Sequence, residues 1–79
     1  MPRVTSFNVQ AFERVKGKSK LQQGRMRVFQ NEAEALRAGE MLKDRVAGVI
    51  VFRIEADHEF EDYSDPVTLA SYGEVPEPP

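Results

Sequence analysis

The stretch from Asn31 to Ile54, NEAEALRAGEMLKDRVAGVIVFRI, decides the fold because a helical pattern is followed directly by a strand pattern. In its first half, apolar and small residues recur at spacings of three and four, which predicts an amphipathic helix from Glu32 to about Arg45. The residues on this apolar stripe are Ala35, Leu36, Ala38, Gly39, Leu42 and Val46. In its second half, the run from Val49 is β-branched and apolar on both sides, which predicts a central strand.

The start of the predicted helix carries capping residues. Asn31 is a favourable N-cap, and Glu34 follows three residues later, close to the pattern of a capping box. Gly39 lies on the apolar stripe, although glycine inside a helix costs about 1 kcal/mol relative to alanine. We therefore expect the helix to approach the sheet closely at Gly39.

The segments on either side of this stretch predict the remaining strands. Residues 4–15 alternate between apolar and polar side chains, which is typical of a half-buried strand. The segment 16–24, rich in lysine and glycine, predicts a turn, and the segment 25–30 predicts the second strand of a hairpin. Pro66 restricts the last strand, 67–72, to the edge of a sheet.

Together these elements predict a single α+β domain over residues 1–73. Its order is β-β-α-β-β, a mixed four-stranded sheet with one amphipathic helix packed on one face. An acidic loop, 55–65, precedes the last strand, and residues 74–79 form a proline-rich acidic tail that we expect to be disordered. The predicted core is Phe7, Val9, Ala11, Val28, Leu36, Gly39, Leu42, Val46, Val49, Ile50, Val51, Phe52, Ile54 and Leu69.

Charge is sorted along the chain. Residues 1–30 carry a net charge of +6, residues 31–54 are neutral, and residues 55–79 carry −8 with no base. The total of −2 conceals this asymmetry. A small domain of this kind is expected to present two different electrostatic surfaces to its partners.

The composition argues against disulfide-bonded and membrane-spanning classes of protein. The chain has 79 residues and no cysteine, so it contains no disulfide and no thiolate metal site. Its longest apolar run, 46–52, is far shorter than the roughly 18–20 residues of a membrane span. The first residues contain no apolar signal core. We therefore expect a cytoplasmic protein that does not enter a membrane.

No catalytic pattern is visible in the sequence. The segment from Asp57 to Asp62, DHEFED, groups acidic residues around the only histidine, His58, and carboxylates of this kind can bind divalent cations. It lacks the Asp-x-Asp-x-Asp-Gly pattern and a second histidine, and no serine lies in an activating context. We therefore expect no enzymatic activity, no cofactor and no metal site.

The basic hairpin is the candidate binding site. Its residues are Arg14, Lys16, Lys18, Lys20, Arg25 and Arg27. Basic side chains this close together in the sequence can bind successive phosphates of a nucleic-acid backbone, which makes nucleic acid one possible partner. A pI near 5.4 is well below the basic range typical of nucleic-acid binders. The preferred hypothesis is therefore a non-enzymatic module that binds protein or itself, through segregated charge and sheet edges.

Two resemblances add to this reading. The segments FQNEAEALR (29–37), AGVIVF (47–52) and DPVTLASYGEVP (65–76) resemble a group of short bacterial proteins of unknown function that end in D-P-V-x-L-A-x-Y/F-G-E-V-P. That resemblance implies a small αβ domain and carries no assigned site. The basic hairpin followed by F-x-x-x-x-E-A, with Phe29 and Glu34, resembles the arm-type DNA-binding domains of tyrosine recombinases, which implies nucleic-acid binding.

Overall fold

A computed structural model describes residues 3–17, 20–57, 62–63 and 65–76. The elements in chain order are β1 (Arg3–Arg14), β2 (Leu21–Phe29), α1 (Glu32–Leu42), β3 (Gly48–Asp57), β4 (Asp62–Tyr63) and β5 (Val67–Gly73). One open sheet contains all the strands, and α1 packs on one of its sides. The predicted α+β class is confirmed, and the predicted order gains one strand, the two-residue β4.

Every neighbouring pair of strands is antiparallel. The order is β2-β1-β3, and the outer edge of β3 pairs with β4 near Asp57 and with β5 along most of its length. β2 and β3 run in the same direction, but β1 lies between them and is antiparallel to both. The expected mixed sheet is therefore corrected to an antiparallel one, because the connection through α1 crosses over β1 rather than joining adjacent strands.

The core lies between α1 and the two inner strands of the sheet, β1 and β3. Its buried cluster is Val9, Ala35, Val49 and Val51, each at most 1% exposed. Larger apolar side chains pack around this cluster and are only partly buried: Phe7, Phe29, Leu36, Leu42, Val46, Leu69 and Tyr72. No fully buried side chain among the described residues is larger than valine, so the core is small for a domain of this length.

The helix follows its predicted caps. The Asn31 side-chain Oδ1 accepts a hydrogen bond from the Glu34 backbone N–H at 3.2 Å, as an N-cap residue does. Gly39 is buried against β3, where an added Cβ would come within 2.6 Å of the Val51 Cγ2. The expected close approach at Gly39 is therefore confirmed. The helix ends at Leu42, about three residues before the predicted end.

Three parts of the predicted arrangement differ from the structure. Ile50, Phe52 and Ile54 are predicted core residues, but they lie on the side of β3 opposite α1 and are only half-buried. Val28 was placed in the core, but it is 60% exposed because β2 is an edge strand and Val28 points away from α1. The loop predicted from residue 55 begins later, since β3 continues through Asp57 and pairs with β4. Residues 58–61 and 64 of that segment lie outside the described residues.

The chain after β5 turns back across the sheet. Gly73 has a φ of +68°, a conformation that favours glycine, and the Glu74 N–H donates to the Ala47 carbonyl at 2.9 Å. The Glu74 carbonyl lies directly over Gly48, where a side chain would collide with it. Residues 74–76 thus contact the domain, and the rest of the predicted tail, 77–79, lies outside the described residues.

Candidate interaction surfaces

The two sides of the sheet differ in charge. Cross-strand pairing places paired side chains on the same side, and Val9 and Val51 mark the side that packs on α1. The charged residues of the three long strands lie on the α1 side, with one exception. Among the strand residues whose side chains the structure describes, these are Glu13, Arg25, Arg27, Arg53, Glu55 and Asp57. The exception is Arg14.

The opposite side, here called the helix-free face, is largely uncharged among the described residues. Its large apolar side chains are Val4, Phe12, Met26, Val28, Ile50, Phe52 and Ile54. Five large apolar residues in the described part of the chain are exposed, and three of them lie on this face: Val4, Met26 and Val28, at 50%, 50% and 60%. Part of the face forms a shallow groove of about 840 Å³, bordered by Phe12, Ile50, Pro66 and Pro76.

The polar groups at the centre of the helix-free face are satisfied within the domain. Gln10 is 8% exposed, and its Nε2 donates to the Ala11 carbonyl at 2.8 Å and to the Gly24 carbonyl at 3.0 Å. These bonds span the irregular register between β1 and β2. Asn8 is 4% exposed, and its Nδ2 donates to the Ser6 Oγ at 3.2 Å. The face therefore requires no outside partner for these amides.

Arg14, which lies on the helix-free face, forms an ion pair. Its guanidinium forms an ion pair with the Glu74 carboxylate, and the two side chains are 46% and 54% exposed. The pair joins the end of β1 to the segment that follows β5. The only charged strand residue on the described helix-free face is thus neutralised locally.

A second groove lies on the α1 side, between the helix and β2. It has a volume of about 680 Å³, and Val9 and Ala11 of the sheet form its floor. Its apolar walls include Phe29, Leu42 and Val46, which are half-buried. Four arginines surround the opening: Arg25, Arg27, Arg37 and Arg45.

The predicted binding residues do not form one surface. Arg14 is ion-paired on the helix-free face, whereas Arg25 and Arg27 line the groove beside α1. Lys16 and Lys20 are exposed at the turn between β1 and β2. Lys18, the sixth predicted residue, lies outside the described residues.

Sequence reasoning missed the two helix-side members of the arginine group. Arg37, Met41 and Arg45 recur every four residues, a spacing that aligns side chains along one side of a helix. That spacing could have indicated that Arg37 and Arg45 lie on the same side of the helix. The sequence did not indicate that these two arginines share a groove with Arg25 and Arg27 of β2. That groove exists because the helix lies over β1 and leaves the neighbouring side of β2 uncovered.

No cluster of three or more metal-ligating side chains occurs in the described part of the chain. The predicted acidic segment is covered only in part, since His58 and its neighbours to residue 61 fall outside it. Within the described residues, no helix combines the length and the apolar character that crossing a membrane requires.

Comparisons with protein-family models, curated proteins and solved structures found no match to this chain. The two resemblances noted from the sequence therefore stay predictions.

Proposed function

We propose that this domain is a non-enzymatic protein-interaction module that self-associates through its helix-free face. The observation that supports this proposal is the composition of that face: Met26 and Val28 are exposed, and Arg14, the one charged strand residue described on it, is paired with Glu74. Depletion of charge and exposure of large apolar side chains are typical of the centre of a protein interface.

The size of the face fits a second copy. Four strands spaced about 4.8 Å apart and about ten residues long give a projected area on the order of 600 Å². A standard interface takes roughly 800 Å² of accessible surface from each partner, and the accessible surface of a pleated face exceeds its projection. The small core adds a reason, because domains of this length gain stability when association buries further apolar area.

Charge at the ends of the strands selects one orientation for two facing sheets. A two-fold axis parallel to the strands places β2 of one copy over β5 of the other and keeps corresponding strand ends together. The turn that carries Lys16 and Lys20 then faces the partner's Glu74, whose carboxylate would be shared between these lysines and Arg14 of its own chain. A perpendicular axis would stack β2 on β2 instead. In this arrangement charge sets orientation, and the apolar face supplies affinity.

Sedimentation equilibrium with two matched variants tests the proposal. Val28 and Met41 are exposed to similar extents, 60% and 69%, but Val28 is on the helix-free face and Met41 is on α1. We expect a dimer whose dissociation constant rises at least tenfold in Val28→Asp and changes less than threefold in Met41→Asp. High salt should leave the dimer largely intact, because its affinity is apolar.

Two results would remove the proposal. One is a protein that stays monomeric at all concentrations up to about 1 mM. In that case any dimer would have a binding free energy weaker than roughly 4 kcal/mol. The other is equal weakening by both variants. Circular dichroism of each variant confirms that the fold is retained, as expected for substitutions at exposed positions.

Nucleic-acid binding through residues 14–27 is the second candidate. Lys16 and Lys20 support it, because both are exposed at a turn and neither is in an ion pair with a described residue. The test is a titration of labelled protein with short DNA and RNA at about 50 mM salt. Amide shifts confined to residues 14–29 that disappear as salt rises would favour this candidate, and their absence at high ligand excess would remove it.

A further inference from the structure

The groove between α1 and β2 has an apolar floor because the helix does not cover the whole sheet. α1 packs mainly over β1 and β3, so the helix side of β2 is covered only near Phe29. Val9 and Ala11 lie at the bottom of the groove but are covered, at 1% and 3% exposed. The accessible apolar surface therefore belongs to the half-buried Phe29, Leu42 and Val46. The groove therefore lies beside the core, and the partly exposed side chains that surround the core form its apolar walls.

The opening of this groove carries an excess of positive charge. Four arginines surround it against two acids, Glu13 and Glu34. None of the four guanidinium groups is in an ion pair with a described residue. Arg27 is oriented by the ring of Phe29, whose centroid lies 5.0 Å from the guanidinium carbon. Unpaired guanidinium groups at a concave apolar surface favour an anionic group placed there.

We propose that this groove binds an amphipathic anion, an apolar chain that ends in a carboxylate or a phosphate. The apolar walls formed by Phe29, Leu42 and Val46 would contact the chain, and guanidinium groups bind either head with parallel N–H···O bonds. A small hydrophilic anion would leave the apolar walls of the groove in water, and a neutral chain would leave the arginines without a counter-charge. The groove volume of about 680 Å³ is within the range of small-molecule sites.

The rank order of a ligand series is the first test. Octanoate, decanoate and dodecanoate, each below its micelle concentration, are titrated into methyl-labelled protein. Affinity should rise about fourfold for each added buried methylene, as the transfer free energy of a methylene requires. Decanol and butyrate should each bind at least tenfold more weakly than decanoate. Decyl phosphate, compared with decanoate, distinguishes a phosphate head from a carboxylate head.

Two matched double variants locate the site. Arg25→Gln with Arg27→Gln removes two charges from the groove, whereas Lys16→Gln with Lys20→Gln removes two from the turn outside it. We expect decanoate affinity to fall at least tenfold in the first and less than twofold in the second. Methyl shifts should concentrate on Val9, Leu42 and Val46, which line the groove.

Three results would overturn the proposal. They are no saturable binding of decanoate, binding that is equally affected by both double variants, and methyl shifts concentrated on Ile50 and Ile54 of the helix-free face. Because the groove lies on the opposite side of the sheet, these results do not depend on whether the domain dimerises. Measuring the mass of the protein in solution with and without decanoate shows whether it is a monomer or a dimer in each case. Dimerisation and decanoate binding are thereby tested independently.

Discussion

Gly39 of α1 lies so close to Val51 of β3 that a methyl group on Gly39 would come within 2.6 Å of the Val51 Cγ2. Both residues are buried at the centre of the contact between helix and sheet. The distance between α1 and β3 therefore depends on the absence of a side chain at position 39. This contact sets how deeply the small core can be packed.

Gly39→Ala should destabilise the domain, although alanine is the better helix former. Overpacking a core costs about 1–3 kcal/mol, which exceeds the roughly 1 kcal/mol that alanine contributes to helix propensity. Urea unfolding measures the change in the free energy of unfolding. Glu40→Gly compared with Glu40→Ala, at an exposed position inside the same helix, reports the propensity term alone. A more stable Gly39→Ala variant would show that the helix can move away from β3 without loss.

Gln10 should contribute to stability through its two hydrogen bonds to main-chain carbonyls. Gln10→Met keeps the approximate length of the side chain but leaves the Ala11 and Gly24 carbonyls without this donor. The expected loss is about 1–3 kcal/mol in the free energy of unfolding, and Gln10→Glu should lose more because a carboxylate would face two carbonyls. Gln23→Met, at an exposed position of the same face, is the control. Equal losses at the two positions would contradict this role of Gln10.

Asn31 should stabilise the start of α1. Asn31→Ala removes the acceptor of the Glu34 N–H and is expected to cost about 0.5–2 kcal/mol, measured by thermal or urea unfolding. Asn31→Ser retains an N-cap oxygen and should recover most of the loss. If serine is no better than alanine at this position, the capping bond is not the source of the effect.

The Arg14–Glu74 ion pair should contribute little to stability. Both side chains are about half exposed, and pairs of this kind contribute about 0–1 kcal/mol. A double-mutant cycle with Arg14→Met and Glu74→Gln measures the coupling free energy, which should fall as salt increases. A coupling above about 2 kcal/mol would mean that the pair is screened from solvent, contrary to its exposure.

The elements of the fold were largely predictable, because their signals are local. The spacing of apolar residues from Ala35 to Leu42 defined the helix, and Asn31 marked its start. The pairing of the strands was not local. Nothing in the sequence of β1 indicates that it inserts between β2 and β3, so Val28 on the resulting edge strand was wrongly assigned to the core. Phe12 was omitted from the predicted core, although it is 8% exposed.

The candidate surfaces were predictable only in part. The separation of basic and acidic residues along the chain is visible in the sequence. In the structure, the charged residues of the strands are also concentrated on one side of the sheet. Alternation within β2 places Arg27 beside α1 and Val28 on the opposite face, so one hairpin contributes to two different surfaces. Counting bases over residues 14–27 could not separate them, because that count ignores the direction of each side chain.

A nuclear Overhauser contact between the methyl groups of Val28 and Thr68 tests the proposed self-association most directly. The two residues lie in one row across the sheet, in which Val28 pairs with Asn8, Asn8 with Phe52, and Phe52 with Thr68. Three strand spacings separate them within one copy, about 14 Å, which is too far for a contact of this kind. Facing sheets related by an axis parallel to the strands bring Val28 of one copy over Thr68 of the other, so the contact should appear at concentrations at which the dimer is populated. A dimer without contacts on the helix-free face, or with intermolecular contacts only from the α1 side, would contradict the proposal.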